Sequence, residues 1–213
     1  MDEVNFGLDL IRIHKVMTRG LRVSLAASET PGGGDYPPPD LNGGLGRYVR
    51  ALLVVLHVHH HGEDDLAWPY LGARMPDAPY ETLIAQHATM SALLTEAEAA
   101  LEAADLGTLR DQLRGVEALW QEHIALEEEA FSVQATADAL SPEEQRRVTR
   151  KVERHAQLHS WPLRLVVPFT LYNLELEDRV VLKRTMPAFL TKFVVPTVWK
   201  PAWAPMKPYL LDV

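Results

Sequence analysis

Four histidines and three carboxylates crowd positions 57 to 65 in the stretch LHVHHHGEDDLAWP, residues 56 to 69. Imidazole nitrogens and carboxylate oxygens are donors for divalent and transition-metal cations. On a helix, residues i and i+4 lie about 40° apart around the axis and about 6 Å apart along it, so a histidine and a carboxylate at that spacing can reach one ion. Three pairs compete: His59 with Glu63, His60 with Asp64, and His61 with Asp65. The positions sharing a face with His59 are Leu52, Val55, Leu56, Glu63 and Leu66, a continuous inner face. The His60 face runs through Leu53 and Leu56 but also His57 and Ala67, and the His61 face through His57 and Trp68. The His59 pair is therefore expected to point inward. His57, His60, His61, Asp64 and Asp65 are expected at the surface, or orienting the ligands.

The same spacing recurs in WQEHIALEEEAF, where His123 and Glu127 share a face with Val116, Leu119, Trp120, Leu126 and Ala130. His14 sits among Leu10, Ile11, Met17 and Leu21, and His87 among Tyr80, Leu83, Ile84, Met90 and Leu94. One such histidine would read as a hydrogen-bonded core imidazole. Four imidazoles and two carboxylates meeting in an apolar interior are costly to bury without a cation to compensate them. His14, His59, Glu63, His87, His123 and Glu127 are thus the expected ligands, a set of the right size for two metals bridged by the two carboxylates.

The elements that must position them are helices. Apolar residues recur at helical spacing over residues 2 to 28, until ETPGGGDYPPPDLNGG forbids regular structure. A second helix is expected over about 44 to 62, stopping near Gly62 because Pro69 cannot occupy a helix interior. Residues 77 to 104 and about 107 to 136 are rich in Ala, Leu and Glu, with Gly107 marking the break between them. SPEE at 141 to 144 has the form of a capping box opening a fifth helix to about 160. Beyond Trp161 seven prolines leave room only for short helices near 163 to 173, 175 to 185 and 187 to 195. No stretch alternates with period two, so the fold class is all-α: a four-helix bundle core over 2–136, with a C-terminal helical extension over 137–213 packed on it in a single domain.

The bulk composition narrows the chemistry. With no cysteine among 213 residues, thiolate metal sites, iron–sulfur clusters and thiol nucleophiles are excluded. A formal net charge of -8 without a Lys/Arg-rich cluster argues against a nucleic-acid partner. The run LGRYVRALLVVLHV is too short and too charged to span a bilayer, which takes about 20 apolar residues. The opening MDEVNFGLDLIRIHK lacks the basic n-region of a secretory signal, so a cytoplasmic location is the expectation.

The order H, HxxxE, H, HxxxE over His14, His59, Glu63, His87, His123 and Glu127 resembles the hemerythrin-like, or HHE cation-binding, family. The resemblance covers residues 2 to about 136 and includes the aromatic-Pro segment ending at Pro69. The Pro-broken tail with TMPAFLTKF is similar to the extension of actinobacterial, particularly mycobacterial, members. This likeness implies an up-down four-helix bundle holding two non-heme iron ions, bridged by Glu63 and Glu127 and by an oxo or hydroxo group. Oxygen-carrying members have two histidines four apart on the third helix, whereas Ser91 stands four after His87 here. They also place the fourth-helix carboxylate five after the histidine, whereas Glu127 stands at four. Fewer protein ligands leave coordination positions open, which favours reaction over reversible carriage. The chain also departs from ferritin-like di-iron proteins, since no histidine has a glutamate three residues earlier.

Tyr48, eleven residues before His59, lies about 20° away around the same helix, and reads either as a ligand or hydrogen-bond donor near the centre or as an ordinary core tyrosine. His155 and His159 share i,i+4 spacing but stand among Arg154, Gln157 and Ser160, and read as a solvated face. The resemblance implies a di-iron centre that reacts with hydrogen peroxide or nitric oxide in a peroxidase- or catalase-like role. The alternative is binding or sensing of oxygen, nitric oxide or iron without turnover.

Overall fold

A computed structural model describes residues 5–29 and 35–211. The start of the first expected helix, at residues 2 to 4, and Pro31 with the three glycines after it lie outside the described residues. Four long helices carry the sequence signal: α1 (Phe6–Glu29), α2 (Gly44–Gly62), α4 (Tyr80–Glu102) and α5 (Leu106–Ala130). Among the described residues there is no strand. Helix α1 packs on α2 and α5, and α4 packs on α5 and α2, so the four form a closed ring. His14 falls in the first half of α1, His59 at the end of α2, His87 in the first half of α4 and His123 near the end of α5. An up-down arrangement brings those four places to one level of the bundle.

The elements differ from the sequence expectation at three ends. Helix α2 does not stop at Gly62: it runs on through a π turn, Glu63–Ala67, into the short α3, Trp68–Leu71. Pro69 falls in the first turn of α3, where its missing N–H costs little, and the π turn absorbs the change of register before it. The break between α4 and α5 comes at Ala103 to Asp105 rather than at Gly107. Ala104 takes the left-handed turn position with φ 54°, and the Asp105 side chain caps α5 by accepting from the Thr108 amide at 3.0 Å. Helix α5 ends at Ala130, not 136, because Ser132 caps a separate helix α6, Val133–Ala139.

Helix α7 (Pro142–His159) opens with the expected capping box on Ser141 and Glu144. The rest of the chain folds as α8 (Leu163–Tyr172), α9 (Leu176–Thr185), a π-helical stretch Leu190–Val198, α10 (Lys200–Trp203) and a 3-10 turn Ala204–Tyr209. Helix α2 is packed by α7, α8 and the 3-10 turn as well as by its neighbours in the ring. That is why α2 is buried over most of its circumference, from Leu45 and Tyr48 to His59 and His60. At Gly44 a β-carbon would stand 2.3 Å from the Pro205 carbonyl oxygen, so the C-terminal turn lies directly on the backbone there. No described helix is long and apolar enough to cross a membrane.

The apolar interior is split into two clusters. One contains Met17, Leu21, Leu52, Leu56, Met90, Leu94, Val116 and Trp120. The other contains Phe6, Leu10, Trp68, Leu71, Leu83 and Phe131. His14 lies between Leu10 of one cluster and Met17 of the other, His87 between Leu83 and Met90, and His59 between Leu56 and Ala67 of the π turn. Ile84, placed on the inner face by its spacing, is instead 45% exposed.

Candidate metal centre

The layer between the two clusters holds all six expected residues. His14, Glu63, His87, His123 and Glu127 are at most 2% exposed, and His59 is 8% exposed. Their donor atoms fall into two groups: His14, His59, Glu63 and Glu127 in one, and His60, His87 and His123 in the other, with the atoms in each within 4.8 Å of one another. The carboxylates stand between the groups. Glu63 places Oε1 3.2 Å from His59 Nε2 and Oε2 3.6 Å from His87 Nε2. Glu127 Oε2 is 3.1 Å from His14 Nε2 and 3.4 Å from His123 Nε2. Each carboxylate thus faces one imidazole from either group.

Three of the imidazoles are held from behind. His14 Nδ1 donates to Glu128 Oε1 at 2.8 Å, His87 Nδ1 to Asp64 Oδ1 at 2.8 Å, and His123 Nδ1 to Gln86 Oε1 at 3.1 Å. With the proton on Nδ1, each ring presents the lone pair of Nε2 to the interior. His87 Nε2 and His123 Nε2 then face each other at 3.3 Å, lone pair to lone pair, an arrangement that calls for a cation between or beside them. The inward atoms have no hydrogen-bond partner: His14 Nε2, His59 Nε2, both nitrogens of His60, and all four carboxylate oxygens of Glu63 and Glu127. Buried polar atoms are almost always paired, and eight orphans in one layer fit a site whose missing partner is a metal.

The electrostatics say the same. Burial, and then the charge of Glu127, push the Glu63 carboxyl well above its ordinary range. Burial also works against ionised Glu127, but the facing imidazoles of His123 and His14, with the charge of His14 and His59, hold it well below that range. Burial drives His59 and His60 toward the neutral form, the form that ligates. For His14 burial is outweighed by Glu127 and Glu128, which raise it. A cation would let both carboxylates ionise together.

The hemerythrin HHE cation-binding domain family matches residues 9–135. The chain belongs to that family. The matched segment covers the four ring helices from residue 9 of α1 onward and holds every residue of the two donor groups. No curated protein and no solved structure gives a significant match.

One open alternative, at Tyr48, is narrowed and one expectation, at His60, is corrected. Tyr48 lies three turns, roughly 16 Å, from His59 along the axis of α2. Its hydroxyl donates to Asn173 Oδ1 at 2.6 Å and accepts from Arg19 at 3.2 Å, and its ring packs on Phe169 and Tyr209. It belongs to the opposite end of the bundle. His60, expected at the surface, is 3% exposed and stacks on His87 with ring centroids 4.3 Å apart. Its face was discounted for containing Ala67, yet Ala67 is itself fully buried. The signal was present as two consecutive histidines: α2 sits between α1 and α4, and residues 100° apart on a corner helix point at the two neighbours. His59 turns to His14 on α1, His60 to His87 on α4, and His61, one step further, is exposed. Asp64 orients His87, and His159 is exposed as expected.

A cleft of about 390 Å³ reaches the layer from outside, lined by Ile11, His14, Thr18, Arg19, Ile124 and Glu128 among others.

Proposed function

We propose that His14, His59, Glu63, His87, His123 and Glu127 hold two iron ions, and that the chain reacts there with hydrogen peroxide or nitric oxide. The observation that carries this reading is the placement of Glu63 and Glu127, each between an imidazole of one donor group and an imidazole of the other. Two carboxylates so placed suit a pair of cations better than one ion. Bound iron supplies the one-electron and two-electron chemistry, for which none of the six side chains is itself suited. The protein's own part is positioning. Glu128, Asp64 and Gln86 fix three imidazoles by their Nδ1 protons, and the apolar clusters above and below exclude bulk water.

Oxygen release from peroxide by iron-loaded protein, set against the same protein carrying His59→Ala and His123→Ala, tests the reading. Turnover in the native chain and none in the variant is the expected result; equal rates would refute it. Binding or sensing without turnover is the second reading, favoured by the nearly complete burial of the layer. It predicts a reversible spectral change with oxygen or nitric oxide and no consumption of peroxide.

A further inference from the structure

We propose that His60 is a seventh ligand, completing a three-imidazole position with His87 and His123, so that the two metal positions are unequal. The inference rests on the di-iron reading above and adds a residue to it.

A buried imidazole ordinarily finds a partner for at least its N–H. His60 has none: both Nδ1 and Nε2 are buried without a hydrogen bond. Its ring is stacked on His87 with planes 19° apart and lies 5.6 Å from the His123 ring. A donor nitrogen of His60 falls within 4.8 Å of donor nitrogens of both those residues, close enough for three imidazoles to share one ion. Among the described residues no carboxylate, amide or hydroxyl hydrogen-bonds His60, in contrast to His14, His87 and His123. A histidine that merely filled space would be replaced at lower cost by an apolar ring, since desolvating two polar nitrogens without partners is unfavourable. Three imidazoles would then hold one ion and two, His14 and His59, the other, with Glu63 and Glu127 facing both groups. The group with fewer imidazoles includes His14, which lines the cleft.

The test is metal stoichiometry and spectroscopy on the full chain. Wild type, His60→Ala, His60→Phe and, as a control on the exposed neighbour, His61→Ala are loaded with ferrous iron without oxygen, then measured for iron per chain, affinity against a competing chelator, and Mössbauer spectrum. His60→Phe keeps the ring stacked on His87 and the volume filled, so its fold is retained if His60→Ala proves unstable. Two irons per chain in wild type and His61→Ala are expected. In both His60 variants one of the two should bind more weakly by at least about 100-fold, exceeding the loss typical of an outer-shell change. Added imidazole should restore the second iron in His60→Ala but not in His60→Phe. Two irons of unchanged affinity and spectrum in both His60 variants would overturn the assignment while leaving the di-iron reading intact. A wild-type chain that takes up no iron would overturn both.

Discussion

The two ends of the long bundle both bury polar groups, and they treat them in opposite ways. Around Tyr48 the groups are paired: Arg19 donates to the Tyr48 hydroxyl, to Asn173 Oδ1 and to the Tyr209 carbonyl, and Asn173 Nδ2 donates to the Phe169 carbonyl at 2.9 Å. Around His59, His14 Nε2, His59 Nε2, both nitrogens of His60 and the oxygens of Glu63 and Glu127 have no hydrogen-bond partner. A satisfied network ties α1, α2 and the C-terminal helices together and needs nothing further. An unsatisfied one of donor atoms is unfavourable alone and becomes favourable when a cation fills it. This contrast distinguishes structural polarity from a binding site without reference to any relative.

The largest effect should come from the metal itself. At a free concentration a thousandfold above its dissociation constant a ligand adds about 4 kcal/mol to stability. At about 2–4 °C per kcal/mol for a chain of this size, stripping the iron should lower the melting temperature by roughly 8–16 °C. Calorimetry with and without a chelator measures this; identical melts would mean that the orphaned atoms are not a metal site.

Next come paired substitutions at the two ends, with opposite signs in the metal-free protein. Asn173→Ala strips partners from Arg19 and the buried Tyr48 hydroxyl and should destabilise by about 1–3 kcal/mol, with iron content unchanged. Glu63→Met removes a desolvated carboxyl from an apolar layer. It should stabilise the metal-free chain by about 1–3 kcal/mol while abolishing iron binding. Urea unfolding of both variants after chelation decides the matter, and a destabilised Glu63→Met would remove the contrast. Tyr48→Phe tests one end alone: a loss of about 1 kcal/mol with an unaltered iron spectrum is expected, and an altered spectrum would return Tyr48 to the centre.

The sequence was informative where periodicity and chemistry coincide. His14, His59, Glu63, His87, His123 and Glu127 could be read because each repeats the 3.6-residue period of an apolar face, and Ser141 with Glu144 because a capping box is local. His60 was missed because a single-face reading assumes a helix buried on one side. The C-terminal helices, invisible to any pattern within α2, bury α2 nearly all round. Tyr48 stayed open between two readings because angle around the axis alone does not decide; its contacts with Phe169, Tyr209 and Asn173 favour the core tyrosine. The ends of α2 and α5 were misjudged where Pro69 was absorbed by a π turn and Ser132 started a new cap.

The smallest effect lies outside both ends, at the start of α7, and serves as a control. Glu144 accepts from Arg74 at 2.8 Å and from the Ser141 amide at 3.0 Å and hydroxyl at 2.9 Å. The Arg74 hydrogen bond, then those from Ser141, lower its carboxyl to about 2. A carboxyl depressed on folding contributes stability that is complete above its unfolded value, near 4.5, and is lost as pH falls from there through about 2. The wild type should therefore lose a little stability over that acid range that Glu144→Gln does not lose, since the amide cannot titrate. The metal layer contributes nothing to the difference if both are compared after chelation. Parallel acid curves for the two proteins would show that this exposed cap is too well screened to matter, and would leave all the measurable polarity of the molecule at the two ends of the bundle.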